Sequence, residues 1–204
     1  MKNLEKAQHL LPVAYLYLII LGLIKETLTF YPLDINILKY ATIMDVLISP
    51  IADIFSHYLI FITIFIISVI AFSLPQLMVK NFSAKWVNAY LGRKKNQPRL
   101  TLEEVKDKSI WFPVRFLAFM FLSFFVGFGW ANGMKEKRNI KSGNLKYKHT
   151  LYFTDNQSQQ VHLIDVNNAY YFYVEKDSKK IKISPVDAIK ALEIDPLKHR
   201  KATQ

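Results

Sequence analysis

Three long apolar runs alternate with polar, turn-rich segments along the chain. The first covers Leu10 to Ile24 and is closed by Lys25 and Glu26. As a helix that stretch reaches only ~22 Å, whereas a bilayer core is ~30 Å thick. A spanning helix therefore needs residues about 10–31, with Lys25 snorkelling outward. No small-x-small site follows, which argues against a cleaved leader. The second run, about 58–79, carries no charge from Tyr58 to Leu74. Backbone groups in lipid must bond internally, so a helix is expected, with Pro75 kinking its last turn. The third, about 110–130, is Phe-rich and has Trp111 and Trp130 at its ends. On a helix these rings stand ~28 Å apart, the spacing of two interfacial aromatic belts. Arg115 lies one turn inside and reads either as a snorkelling cation or as a polar site in the membrane. Ser123 and Gly127 form a small-xxx-small pair that permits close helix approach.

The connecting segments have their own periodicity. Over residues 38–55, Thr42, Asp45, Ser49 and Asp53 recur every three or four positions, and Ile43, Val46, Leu47, Ile51 and Ile54 cover most of the rest. This predicts an amphipathic helix, lying on the membrane surface or dipping into it, that Pro50 breaks or kinks. Asp45 and Asp53 read as a cation or proton site near the outer face, or as a solvated polar face. A second surface helix is expected over 81–91, with Phe82, Trp86 and Tyr90 on one side and Gly92 at its end. Trp86 with Arg93, Lys94, Lys95 and Arg99 would clamp anionic lipid head groups. Thr101 and Glu104 have the spacing of a capping box, which starts a short helix before the third run.

Beyond the third run a Lys- and Gly-containing stretch is expected to be flexible. Strand signals then follow over 150–154, 160–166, 169–175 and 180–184, separated by polar turns. Ser184-Pro185 predicts the start of a short helix, with Ile189 and Leu192 covering one face of the sheet. The run Tyr170 to Tyr173 puts rings on both faces, and Tyr171 and Tyr173 read as ordinary strand residues or as a partner-recognition surface. The predicted fold class is membrane α+β: three transmembrane helices with surface amphipathic helices, then a small C-terminal antiparallel β-meander plus short helix. The expected division is a membrane domain over 1–133 and a β-rich tail domain over 134–204.

Composition narrows the chemistry. Of 204 residues, 51% are hydrophobic, and none is cysteine. Disulfides, thiolate chemistry and Cys-ligated zinc are therefore excluded. A net charge of +11 would suggest nucleic acid in a soluble protein, but no nucleic-acid-binding motif is present. Beside apolar spans, Lys and Arg serve topology and anionic lipid. The loop over 80–109 holds eight Lys/Arg, against two in residues 25–57. That puts the former in the cytoplasm, and the tail outside. The six Lys/Arg from Lys135 to Lys148 oppose this, leaving ten basic residues inside and eight outside.

The five histidines lack metal-ligand spacing, and no nucleophile elbow, phosphate loop or dinucleotide fingerprint occurs. No enzyme activity, cofactor or metal is expected. Abundant Ile, Lys and Asn suggest a low-GC bacterial genome. The layout resembles small bacterial membrane proteins with a few spans and a compact tail, among them immunity factors against toxins and membrane effectors of phage defence. That resemblance implies a non-enzymatic binding or accessory protein of the inner membrane, working with lipids and with a protein partner or further copies of itself. The alternative is an oligomeric membrane effector or ion-conducting assembly.

Overall fold

A computed structural model describes residues 2–92 and 98–195, with side chains from residue 11 onward. Among the described residues, six helices lead into five strands. The helices are α1 (Lys2–Phe30), α2 (Ile43–Ser56), α3 (Tyr58–Lys80), α4 (Lys85–Tyr90), α5 (Leu102–Ser109) and α6 (Phe112–Ser142). The strands are β1 (His149–Phe153), β2 (Ser158–Val166), β3 (Tyr170–Glu175), β4 (Ile181–Pro185) and β5 (Ile189–Ile194). The apolar stretches of α1, α3 and α6 give three helices long and apolar enough to cross a membrane. The chain forms two compact units, one built on residues up to Ser49 and from Val126 onward, the other on Pro50–Phe125.

Several boundaries differ from those the sequence predicts. The helix expected over 38–55 starts at Ile43, because Ile37–Lys39 forms a separate 3₁₀ turn. Thr42 then caps α2: its hydroxyl accepts from the Asp45 N–H at 3.2 Å, and its own N–H donates to the Asp45 carboxylate at 2.8 Å. Pro50 does not end this helix, which runs on to Ser56. The proline offers no N–H to the Val46 carbonyl one turn back. That carbonyl instead abuts Gly22 of α1, where an added Cβ would lie 1.9 Å from it. The helix expected over 81–91 shortens to Lys85–Tyr90, leaving Phe82 in the preceding turn. The capping box on α5 forms as the spacing predicts, with Thr101 and Glu104 bonded reciprocally.

The stretch after the third apolar run is not flexible coil. α6 continues through Lys135, Lys137 and Arg138 to Ser142, since straight-chain basic and acidic residues are good helix formers. Gly143 stops it at φ 73°, the left-handed conformation glycine adopts at helix ends.

In the tail, the predicted short helix over Ile189 and Leu192 is a strand. Only a 3₁₀ turn, Val186–Ala188, separates β4 from β5. The antiparallel sheet has the order β4-β3-β2-β1-β5, so that turn joins the two edge strands. In a flat sheet the edges of five strands lie ~19 Å apart, whereas the chain from Pro185 to Ile189 spans at most ~15 Å. The sheet must therefore curl. Register shifts in β1 against β5, and in β2 against β3, supply the bends. The curl encloses Leu151, Val161 and Tyr173, packed with Phe153, Leu163, Ile189 and Leu192. The opposite face seats Phe172 against Phe30 and Ile37, with Phe30 and Phe172 ring centroids 5.0 Å apart. The end of α1 thus shares a core with the sheet.

Candidate functional site

Where α1 meets α2, two ionisable side chains are held away from solvent. Lys25 and Glu26 are 9% and 7% exposed. The Lys25 ammonium donates to Glu26 Oε1 at 2.9 Å and to Ser49 Oγ at 2.7 Å. Glu26 Oε1 also accepts from the Ser49 hydroxyl, and Thr29 Oγ1 donates to the Lys25 carbonyl at 2.9 Å. The predicted outward snorkelling of Lys25 is thus corrected: a carboxylate beside it and a hydroxyl from α2 make burial tolerable.

Close helix approach frames the cluster. An added Cβ at Gly129 of α6 would lie 2.6 Å from the Lys25 carbonyl oxygen, and one at Gly133 would lie 2.3 Å from that of Thr29. Gly129 and Gly133 form a small-xxx-small pair that brings α6 onto α1. The sequence carries this signal, but the reading selected Ser123 and Gly127. Ser123 is exposed, and a Cβ at Gly127 meets nothing within 4 Å.

The other sequence-derived site residues have their own settings. Asp45 serves the α2 cap, and its Oδ1 also accepts from the Asn168 N–H at 3.2 Å, tying α2 to the β2–β3 turn. Burial pushes this carboxyl up, but the bonds from Thr42 and Asn168 outweigh it and hold the group below the usual carboxylate range. Asp53 lies two turns further along α2 and is half-buried. Arg115 is exposed on α6.

Tyr173 is 2% exposed, with its hydroxyl 3.0 Å from Ser184 Oγ, and Tyr171 packs against the same cluster. Both rings face the inside of the curl, because residues two apart on a strand share a face. Trp86 and Arg99 are exposed, while Arg93, Lys94 and Lys95 lie outside the described residues. Asn88 is buried. Its amide donates to Phe82 and Ala84 carbonyls and accepts from the Leu100 N–H at 2.8 Å.

A second polar junction, which the sequence reading missed, joins α6 to the sheet. His162 Nε2 lies 3.0 Å from Glu136 Oε2, and its Nδ1 lies 3.2 Å from the Lys146 carbonyl. Both ring nitrogens face acceptors, an arrangement only the doubly protonated ring satisfies. The Glu136 hydrogen bond, with the Lys146 carbonyl, outweighs burial and raises the His162 pKa. His149 behaves oppositely. Burial first, then the nearby His162 and Lys148 charges, lower its pKa, and its Nδ1 has no hydrogen-bond partner among the described residues.

Among the described residues, no three His, Asp or Glu side chains are grouped to hold a metal ion. The chain matches no family model, no curated protein and no solved structure.

Proposed function

We propose that this chain is a non-enzymatic integral protein of a bacterial inner membrane, which presents its sheet domain to a protein partner outside the cytoplasm. The observation that carries this reading is the way the sheet is mounted. It shares a core with the end of α1 through Phe30 and Phe172, and α6 runs without interruption from its apolar stretch to the Glu136–His162 junction. A small β-domain anchored on two apolar helices suits display at a membrane surface better than free movement on a linker. Three crossings also fit this mounting, because they return the tail to the side of the first loop, where Tyr40 packs against Tyr170.

With Tyr171 and Tyr173 turned inward, the partner surface falls on the outer side of β1 and β5. There Tyr152 is exposed, its hydroxyl donates to Glu193 Oε2 at 2.8 Å, and β5 leaves an open strand edge. A photo-crosslinking residue in place of Ala191, the exposed partner of Tyr152 on β5, should trap one discrete protein adduct in intact membranes, and the same probe at Lys106 should not. Adducts with lipid and chaperones alone would contradict the reading.

The second reading is an oligomeric membrane effector, favoured by the exposed Ser123 and the open space beside Gly127. A monomer in mild detergent would argue against it.

A further inference from the structure

The second unit contains a cleft of about 820 Å³ at the start of α6. Tyr90 from α4 and Trp111, Phe112, Phe116 and Phe119 line it with aromatic rings. Rings of Tyr90 and Phe112 meet edge-on at 5.3 Å, and Phe112 stacks on Phe116 at 5.7 Å. The charged lining comes from Asp107 and Lys108 in the last turn of α5 and from Arg115 in the first turn of α6. Arg115 has no hydrogen-bonded or ion-paired side-chain partner among the described residues, and Lys108 has only the solvent-exposed attraction of Glu104 one turn back on α5. By contrast, Lys25 and Lys182 are both bonded to carboxylates.

We infer that this cleft binds one phospholipid with an anionic head group, its phosphate held by Arg115 and Lys108 and an acyl chain lying along Phe116 and Phe119. The inference rests on the membrane reading above. Trp111 marks the interface, and Arg115 follows it by four residues, ~6 Å deeper along a helix. That is the depth at which head groups give way to acyl chains. Phe119, 73% exposed, lies ~12 Å beyond Trp111 on the same scale, within the acyl region. Cations at head-group depth and rings below them complement an amphiphile in both charge and polarity. Two cations against the single Asp107 leave the lining positive, which selects an anionic over a zwitterionic head group. An Arg guanidinium also matches phosphate with paired donors.

The test is native mass spectrometry of the full chain in detergent, titrated with phosphatidylglycerol or phosphatidylcholine, after alkaline carbonate extraction of the source membranes. The expected result is retention in the carbonate-washed membrane and one phosphatidylglycerol bound in preference to phosphatidylcholine. Arg115→Gln should weaken that binding about tenfold, the scale of one charge-assisted contact. Lys106→Gln, which removes a charge from the same α5 helix but does not line the cleft, should leave it unchanged. Circular dichroism and size exclusion report whether each variant is folded, and Lys108→Gln replaces Arg115→Gln if the latter is not. Retention with equal binding of both lipids, or equal weakening by Lys106→Gln, overturns the inference alone. Release by carbonate overturns the membrane reading and the inference with it.

Discussion

Glu26 accepts from both Lys25 and Ser49, so neutralising it takes a carboxylate away from a buried cation. Breaking a buried pair by removing one partner typically costs about 3–5 kcal/mol, whereas replacing both partners by apolar groups of similar size is often neutral. Glu26→Gln should therefore lower the melting temperature in detergent much more than Lys25→Met with Glu26→Leu combined. The sequence displayed these charges as the end of an apolar run, and nothing in a linear string says that Ser49 will meet them. The glycines make a sharper contrast. Gly129→Ala and Gly133→Ala push a methyl group into α1 backbone and should each cost about 1–3 kcal/mol. Gly127→Ala meets open space and should be neutral or stabilising by up to about 1 kcal/mol, as alanine exceeds glycine in helix propensity. Equal losses at all three positions, measured by thermal unfolding, would refute the α1–α6 packing described here. The spacing of Gly129 and Gly133 was legible in the sequence, but so was that of Ser123 and Gly127, and only the packed helices distinguish the two pairs.

Long apolar runs were the most legible elements, and α3 lies within a residue of the predicted span. Their length is dictated by composition alone. Strand β5 was read as a helix for a physical reason. Tyr152 pairs with Ala191 but Phe153 pairs with Ile189, so Lys190 is an extra residue at a bulge. A bulge puts two residues three apart on one face, and Ile189 and Leu192 then imitate helical spacing. The junction of α6 with β2 is where pH enters. His162, with its pKa raised by Glu136, stabilises this junction fully below about pH 6.5, and the contribution is lost as pH rises through the raised value. His149, with its pKa lowered by burial, contributes fully above that ordinary value and loses its contribution as pH falls through the lowered one. Attachment of the sheet should therefore be firmest near pH 6.5. Melting temperatures across pH 5–8 should fall on both sides, with His162→Ala flattening the alkaline limb and His149→Leu the acidic one. A monotonic profile unchanged by either substitution would count against the junction.

The two basic segments that flank the third apolar run left the orientation of the chain finely balanced in the sequence. The fold adds a constraint that residue counting lacks. Phe172 and Tyr170 pack on Phe30 and Tyr40, so the sheet and the first loop occupy one side of any membrane the chain crosses. Residues 41–148 must then cross an even number of times, which α3 and α6 satisfy together. The proposed display of the sheet to a partner outside the cytoplasm presupposes this arrangement. Because the chain has no cysteine, single substitutions give clean reporters. The decisive measurement labels intact cells with a membrane-impermeant maleimide, using Lys39→Cys in the first loop, Lys180→Cys in the sheet domain and Arg99→Cys between α4 and α5. Labelling at positions 39 and 180, with position 99 reached only after permeabilisation, is the predicted result. Labelling that groups position 99 with either of the others, or reaches all three at once, would contradict a three-span protein with its sheet held on the outer face.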